Sequence, residues 1–371
     1  MRIIAHLDMD AFFASLEEAG SEIFYGKPIV VGADPNSPAG EGKGRGVVST
    51  ANYKAREYGI HSALPISTAW QLSQKAKAEG KPEAIFLPVD FERYGKASRE
   101  IFKIIKKYSN LVEPASIDEF YFDLSFLSSL RGESGATDEA IQICQKIKKE
   151  IKEKLKVTCS VGIGPNKLIA KISAGMKKPD GLVIIKEKEA EEFLEPLPIR
   201  EIPGIGPKTE EKLNQKGVKI VKELKKFSRQ ELKEALGKWG VELYFKVRAI
   251  DDSPIVENRE AKSIGEQITF PRDTLNAIYI GDAFEKLCEG VFKNFFQSGF
   301  KSFKTVGITV RFSDFETKTS VKTLKKEILG IKEFRLEALR LLLPYFDRRK
   351  NPRKKLIRLI GVSIKGFKTQ I

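Results

Sequence analysis

The most restrictive feature of the sequence is a pair of acids inside an apolar, aromatic-rich run. The segment from Leu111 to Asp123 has the composition of a strand, and Asp118 and Glu119 lie side by side within it. Successive side chains of a strand point to opposite faces, so both acids share a site only at a bend or a strand end. A carboxylate is costly to desolvate without a partner. Either a divalent cation binds here, or the acids face water at a strand-end turn.

A second strand ending in acids opens the chain. Residues 2–7 read as a short buried strand, followed by Asp8, Met9, Asp10 and a helical pattern from Ala11 to Glu18. We predict that Asp10 is the N-cap of that helix. Asp8 then stands at the carboxyl end of a central strand, where ligand sites of α/β sheets lie. Two distant strands that both end in acids suggest a two-metal phosphoryl-transfer site.

Motifs along the chain resemble those of the Y-family DNA polymerases, in their DinB branch. The matching segments follow the family's order and cover nearly the whole chain: Leu7–Ser15, Ser49–Arg56, Ser116–Glu119, Gly162–Lys171, Pro203–Gly206 and Lys262–Glu266. Each segment alone is a weak signal, and the ordered set is a strong one. The resemblance implies template-directed, low-fidelity DNA synthesis past damaged bases, without a proofreading exonuclease.

Composition agrees with a polyanionic partner. The 371 residues carry a formal net charge of +15, and residues 258–371 hold 24 Lys and Arg against 12 Asp and Glu. The alternative is a merely solvated basic surface. Three cysteines without CxxC spacing read as reduced, buried thiols. No signal peptide and no apolar run of membrane-spanning length is visible, so we expect a soluble, cytoplasmic protein.

We predict an α/β multidomain fold, since the length exceeds a single core. The resemblance implies a palm (1–11 and 84–178), fingers (12–83), a helical thumb with a helix-hairpin-helix (179–249), a linker (250–261) and a ferredoxin-like βαββαβ little finger (262–371). Residues 34–46 read as a hairpin connection. We expect residues 84–89 to join the main sheet, and a polar loop at 130–135 to precede a helix from Asp138 to Leu155 that Thr137 caps.

The resemblance assigns roles to residues of the candidate site. Asp8, Asp118 and Glu119, with the Met9 carbonyl, would hold two Mg²⁺ ions, which Mn²⁺ can replace. Phe13 would be the steric gate that excludes a 2′-hydroxyl. Contacts to the nucleotide triphosphate would come from this set: Phe12, Phe13, Thr50, Tyr53, Arg56 and Lys167. From the residues alone, the two phenylalanines read as core, Tyr53 and Arg56 as a surface stack, and Lys167 as a solvated charge.

DNA contacts are expected in two places. Gly204, Gly206 and Lys208 belong to a hairpin motif whose amides grip a phosphate backbone, the alternative being a non-binding turn. Arg348, Arg349 and Lys354 flank a basic turn in the tail domain. The expected partners are primer-template DNA and a dNTP, bound by a monomer. A sliding clamp is a further expected partner, although no clamp-docking tail motif is visible.

Two other functions fit parts of the sequence. A non-catalytic DNA-binding protein with a degenerate palm would explain the charge, but all three acids are present. A nucleotidyl cyclase would use a similar palm, but has little use for a hairpin motif and a basic tail domain. A primer-extension assay separates all three.

Overall fold

The computed structural model describes residues 2–37, 40 and 42–368, and for residues 130–134 the backbone alone. The chain divides into two compact units. Unit 1 comprises residues 1–32, 48–64 and 72–258, and unit 2 comprises residues 33–47, 65–71 and 259–371.

The first half of the chain alternates strands and helices. Its elements are β1 (Ile4–Met9), α1 (Phe12–Gly20), β2 (Ile29–Gly32), β3 (Val48–Ala51), α2 (Tyr53–Arg56), α3 (Ile66–Ala78), β4 (Ile85–Leu87), α4 (Phe91–Lys106), β5 (Val112–Pro114), β6 (Glu119–Asp123), α5 (Phe126–Leu155), β7 (Cys159–Gly164), α6 (Lys167–Gly175) and β8 (Leu182–Ile184).

The second half begins with short helices and ends with long strands. Its elements are α7 (Ala190–Leu194), α8 (Pro207–Asn214), α9 (Val221–Leu224), α10 (Arg229–Leu236), α11 (Lys238–Lys246), β9 (Ser263–Thr274), α12 (Ala277–Gln297), β10 (Ser302–Phe312), β11 (Thr317–Ile328), α13 (Ile331–Leu342) and β12 (Ile357–Lys368).

The main sheet of unit 1 has the order β5-β6-β1-β7-β8. The central strand β1 is antiparallel to both β6 and β7, and Asp8 is the direct cross-strand partner of Glu119. One face packs on α4 and α5 through a core that includes Leu7, Phe120 and Phe122. The opposite face bears His6, Asp8 and Glu119, because side chains alternate along a strand, and α6 packs on it.

Two predictions about unit 1 are wrong. β4 pairs with β2, in a separate three-stranded sheet of order β3-β2-β4, so residues 85–87 do not join the main sheet. The backbone of residues 130–135 is helical, α5 is 30 residues long, and Thr137 lies inside it instead of capping it. A buried stripe at helical spacing, which includes Ala136, Ala140, Cys144 and Ile147, packs against the sheet. Tertiary packing overrides the weak helix propensity of Gly132 and Gly135.

Unit 2 contains the βαββαβ order that the sequence predicted. β9 to β12 form an antiparallel sheet of order β11-β10-β12-β9, so each parallel pair is split by an antiparallel strand. Helices α12 and α13 cover one face, with Phe284, Phe295 and Phe334 in the core. The expected hairpin connection at 34–46 joins the antiparallel strands β2 and β3, and its residues 38, 39 and 41 lie outside the described residues.

Along the chain, residues 190–246 come after the last strand of the main sheet and fold into five short helices, α7 to α11, with their own apolar cluster. They belong to unit 1. Among the described residues, no helix is long and apolar enough to cross a membrane.

Candidate active site

The cross-strand pair of Asp8 and Glu119 is the centre of the candidate site. Directly opposed residues of an antiparallel pair have Cβ atoms roughly 4.5–5.5 Å apart and share a face, so the two carboxylates meet on the side covered by α6. Asp118 stands in the bend before β6, where its carbonyl oxygen accepts a hydrogen bond from the Met9 amide at 3.0 Å. Its carboxylate accepts one from Ser116 Oγ at 2.5 Å.

Two lysines balance the paired carboxylates. Lys178 Nζ contacts Asp8 Oδ1 and lies 3.4 Å from the Met9 carbonyl oxygen. Lys171 Nζ, on α6, lies 2.6 Å from Glu119 Oε2. The sequence alone distinguishes neither lysine, because each is one of many lysines. The spacing of Lys167 and Lys171, one turn apart on α6, was the available signal for Lys171.

Burial and charge act on these groups in opposite directions. Burial raises the pKa of the Asp8 carboxyl, although the Lys178 ammonium opposes the rise. His6 and Lys171 lower the pKa of Glu119 to about 2. His6 Nε2 is 3.6 Å from Glu119 Oε2, which exceeds hydrogen-bond length, so we regard Lys171 as the stronger partner. Burial lowers the pKa of His6 itself.

Asp10 has a different role from the predicted one. The residue before α1 is Ala11, in the left-handed conformation and without a side-chain cap, so the prediction that Asp10 is the N-cap is wrong. The Asp10 carboxylate is 1% exposed and accepts three hydrogen bonds, from Thr158 Oγ1 at 2.8 Å, Ser160 Oγ at 2.9 Å and the Asp180 amide at 2.8 Å. It thereby fastens the end of β1 to β7 and to the segment that carries Lys178.

The predicted nucleotide-binding residues of the α2 region lie close to the β1 acids. Tyr53 is half-buried, and no hydrogen-bond partner for its hydroxyl is found among the described residues. Burial, together with the Asp10 and Asp8 carboxylates, raises the pKa of Tyr53 to about 12. The Arg56 guanidinium lies 4.7 Å from the centre of the Tyr53 ring, and Arg56 itself is exposed. Thr50, on β3, is half-buried.

Phe12 and Phe13 have different surroundings. Phe12 is buried in the main core. Phe13 is half-buried and stacks on the Tyr94 ring, with centroids 4.2 Å apart and planes inclined by 11°. The ring of Phe13 is therefore held in place just after the end of β1.

Lys167 is not beside the carboxylates of Asp8 and Glu119. Its ammonium lies 2.6 Å from Glu113 Oε2 and only 8% of the residue is exposed. The predicted contact between Lys167 and a triphosphate stays a prediction. Lys178 is the lysine that contacts the β1 acid.

The donor chemistry of the site fits a divalent cation, although three acids do not converge on one point here. Among the described residues, no group of three or more His, Cys, Asp or Glu side chains could hold a metal ion as placed. The Asp8 carboxylate and the Met9 carbonyl nevertheless converge on a single cationic group, the Lys178 ammonium. Carboxylate and carbonyl oxygens are the ligands that Mg²⁺ prefers.

Most of the predicted DNA-contacting residues lie in turns or irregular segments, and Lys208 is the second residue of helix α8. Gly204 has φ +105°, and a Cβ there would meet the Trp239 ring at 2.9 Å, so glycine is required at this position. Gly206 precedes α8, and Pro207 is its first residue. In unit 2, Arg348, Arg349 and Lys354 are exposed, and Arg349 pairs with Asp347.

Comparison with known proteins places the chain in a family. The model of the impB/mucB/samB family matches residues 7–175, that of the IMS family HHH motif residues 187–218, and that of the impB/mucB/samB C-terminal domain residues 261–370. DNA polymerase IV 2 of Methanosarcina mazei is 38% identical over 363 residues, which cover 98% of this chain and 92% of that protein. DNA polymerase IV of Clostridium perfringens is 38% identical over 370 residues, covering 100% and 96%.

Comparison with solved structures supports the same family. The Y-family DNA polymerase chimera Dbh-Dpo4(243-245)-Dbh superposes with a TM-score of 0.85 at 30% identity, covering 99% of this chain and 100% of that one. An insertion ternary complex of Dbh DNA polymerase has a TM-score of 0.65 at 29% identity, with the same coverage. The chain therefore belongs to the Y-family of DNA polymerases. Within that family its relatives are the proteins named DNA polymerase IV, and the chain is a DNA-directed DNA polymerase.

Proposed function

We propose that the enzyme copies damaged templates by metal-assisted nucleotidyl transfer at Asp8, Asp118 and Glu119, without proofreading. The observation that supports this most is the cross-strand pairing of Asp8 with Glu119, next to the bend that holds Asp118. Bound divalent cations would lower the pKa of the primer 3′-hydroxyl and neutralise charge on the phosphates and the departing pyrophosphate.

The chain's own residues would bind and orient the nucleotide. The Tyr53 hydroxyl has no hydrogen-bond partner among the described residues, and Arg56 presents a planar fork beside it, so both suit phosphate oxygens. Lys178 contacts Asp8, and we propose that it moves to the triphosphate when cations bind the carboxylates. Phe13, held by Tyr94, would lie beneath the sugar and leave no room for a 2′-hydroxyl.

Duplex DNA would be gripped from both units. A cavity of about 550 Å³ lies beside the site within unit 1, and Lys171 and Lys246 contribute to its lining. The hairpin at Gly204–Gly206 would bind backbone phosphate through amides. We propose that residues 262–371 are the little finger, whose net charge of +12 attracts DNA.

Primer extension tests this proposal. The parent enzyme should extend a labelled primer in a template-dependent manner with dNTPs and Mg²⁺, and EDTA should stop the reaction. It should also insert a nucleotide opposite an abasic site, and should not shorten a mismatched primer. An enzyme that stops before every lesion, or that degrades the mismatched primer, contradicts the corresponding part of the proposal.

A further inference from the structure

The segment that follows α11 lies against unit 1 instead of hanging free. We call residues 250–257 the strap. Asp251 Oδ2 accepts a hydrogen bond from the Leu168 amide at the start of α6, at 3.0 Å. Arg2 donates to the carbonyl oxygens of Asp251 and Ser253, at 3.2 and 2.5 Å. The first half of the strap is thus held at one end of the main sheet.

The middle of the strap is held by a buried ion pair. Glu113 is fully buried, and its Oε2 accepts from Lys167 Nζ at 2.6 Å and from the Val256 amide at 2.8 Å. Lys167 Nζ also lies 3.4 Å from the Pro254 carbonyl oxygen and 4.5 Å from the centre of the Tyr121 ring. A carboxylate and an ammonium taken out of water need further hydrogen bonds to be tolerated, and here the strap backbone supplies them.

Apolar and polar contacts complete the attachment. Ile255 is 7% exposed and packs in a cluster with Ile4, Tyr121 and Ala170. Glu257 binds Lys106 on α4 and accepts from the Val112 amide at 3.2 Å. Five residues, 258–262, then connect the strap to β9.

We propose that Glu113 and Lys167 form an anchor that docks the strap, and that Lys167 is a positioning residue for DNA binding and has no contact with the triphosphate. With the anchor in place, five residues, 258–262, join the strap to β9; release of the whole strap, Glu257 included, lengthens that free segment to thirteen residues, 250–262. The effective concentration of a tethered module falls roughly as the −3/2 power of linker length, so DNA contact by the segment that begins at β9 weakens by up to about fourfold. This consequence rests on the proposed DNA grip from both units; the docking itself does not.

The test compares Lys167→Met with the matched control Lys103→Met, which removes an exposed ammonium of α4. Hydrogen exchange of peptides covering residues 250–258, without DNA, should speed up at least tenfold in Lys167→Met and stay at the parent rate in the control. DNA binding should weaken by up to about fourfold, while the KM for dNTP stays within twofold of the parent value. A tenfold or larger rise in the KM for dNTP, with the strap still protected from hydrogen exchange, would contradict the anchor. It would indicate that Lys167 binds the triphosphate.

A second variant controls for misfolding of Lys167→Met. Glu113→Leu combined with Lys167→Met replaces the ion pair by apolar side chains, a change that folded proteins tolerate, but it leaves the Val256 amide without its acceptor. We expect the double variant to fold and to exchange rapidly in the strap; parent-like protection in it contradicts the proposal. If the parent enzyme fails to extend primers, the proposed function is wrong, and the exchange experiment still decides whether the anchor exists.

Discussion

Replacing Asp10 by Asn tests the corrected role of this acid. The carboxylate accepts three hydrogen bonds while almost completely buried. A hydrogen bond to a charged group contributes about 1 kcal/mol more than a neutral one, so three weakened bonds should cost about 2–3 kcal/mol. If the nitrogen of the new side-chain amide occupies the position of Oδ2, its N–H groups face the Asp180 backbone N–H. Two donors cannot hydrogen-bond to each other. We therefore expect the opening free energy of this region to fall by about 2–3 kcal/mol.

Native-state hydrogen exchange measures this directly at the Asp180 amide. A loss of 2–3 kcal/mol corresponds to an exchange rate roughly 30- to 150-fold higher. Asp90→Asn is the matched control, because Asp90 caps α4 at the surface and Asn caps a helix equally well. Unchanged protection of Asp180 in Asp10→Asn, together with a loss of primer extension, would refute the structural role and make Asp10 a direct participant in the reaction.

Three further predictions concern the gate, the thiols and the basic turn. Phe13→Ala should admit ribonucleotides, measured as the ratio of rNTP to dNTP insertion; a ratio equal to the parent's removes the gate assignment. Burial raises the pKa of Cys159 to about 12 and also raises those of the other two thiols, so at pH 8 almost no thiolate forms and a thiol reagent should label the cysteines only after unfolding. Rapid labelling of the native enzyme contradicts this. Charge reversal at Arg348, Arg349 and Lys354 should flatten the salt dependence of DNA binding by roughly 0.9 for each phosphate that the protein no longer neutralises; an unchanged slope means that these side chains face away from DNA.

Much of the architecture was predictable because the spacing of apolar residues along the sequence agrees with the side chains that the folded protein buries. The six elements from β9 to β12 were all expected, since their apolar residues alternate in the strands and repeat at helical spacing in α12 and α13. The pairing of β4 with β2 was not predictable, because a three-residue apolar strand carries no information about its neighbour. The long α5 was missed because glycines at 132 and 135 weaken local propensity, while the packing that overrides it is tertiary.

The candidate site was predictable in its acids and not in its lysines. Asp8 and the pair of Asp118 and Glu119 interrupt apolar strands, which marks them in any reading of the sequence. Lys171 and Lys178 are two among many lysines, and only the fold brings them to the carboxylates. The same holds for Lys167, whose partner Glu113 lies 54 residues away along the chain.

Single-turnover primer extension by acid variants tests the central claim most directly. Asp118→Ala and Glu119→Gln should each lose nearly all nucleotide addition while binding primer-template DNA as tightly as the parent, because the acids act on the reacting phosphates and not on the DNA backbone. Appreciable extension by either variant, with DNA binding intact, would show that the reaction does not depend on the acids at the end of β1 and the start of β6.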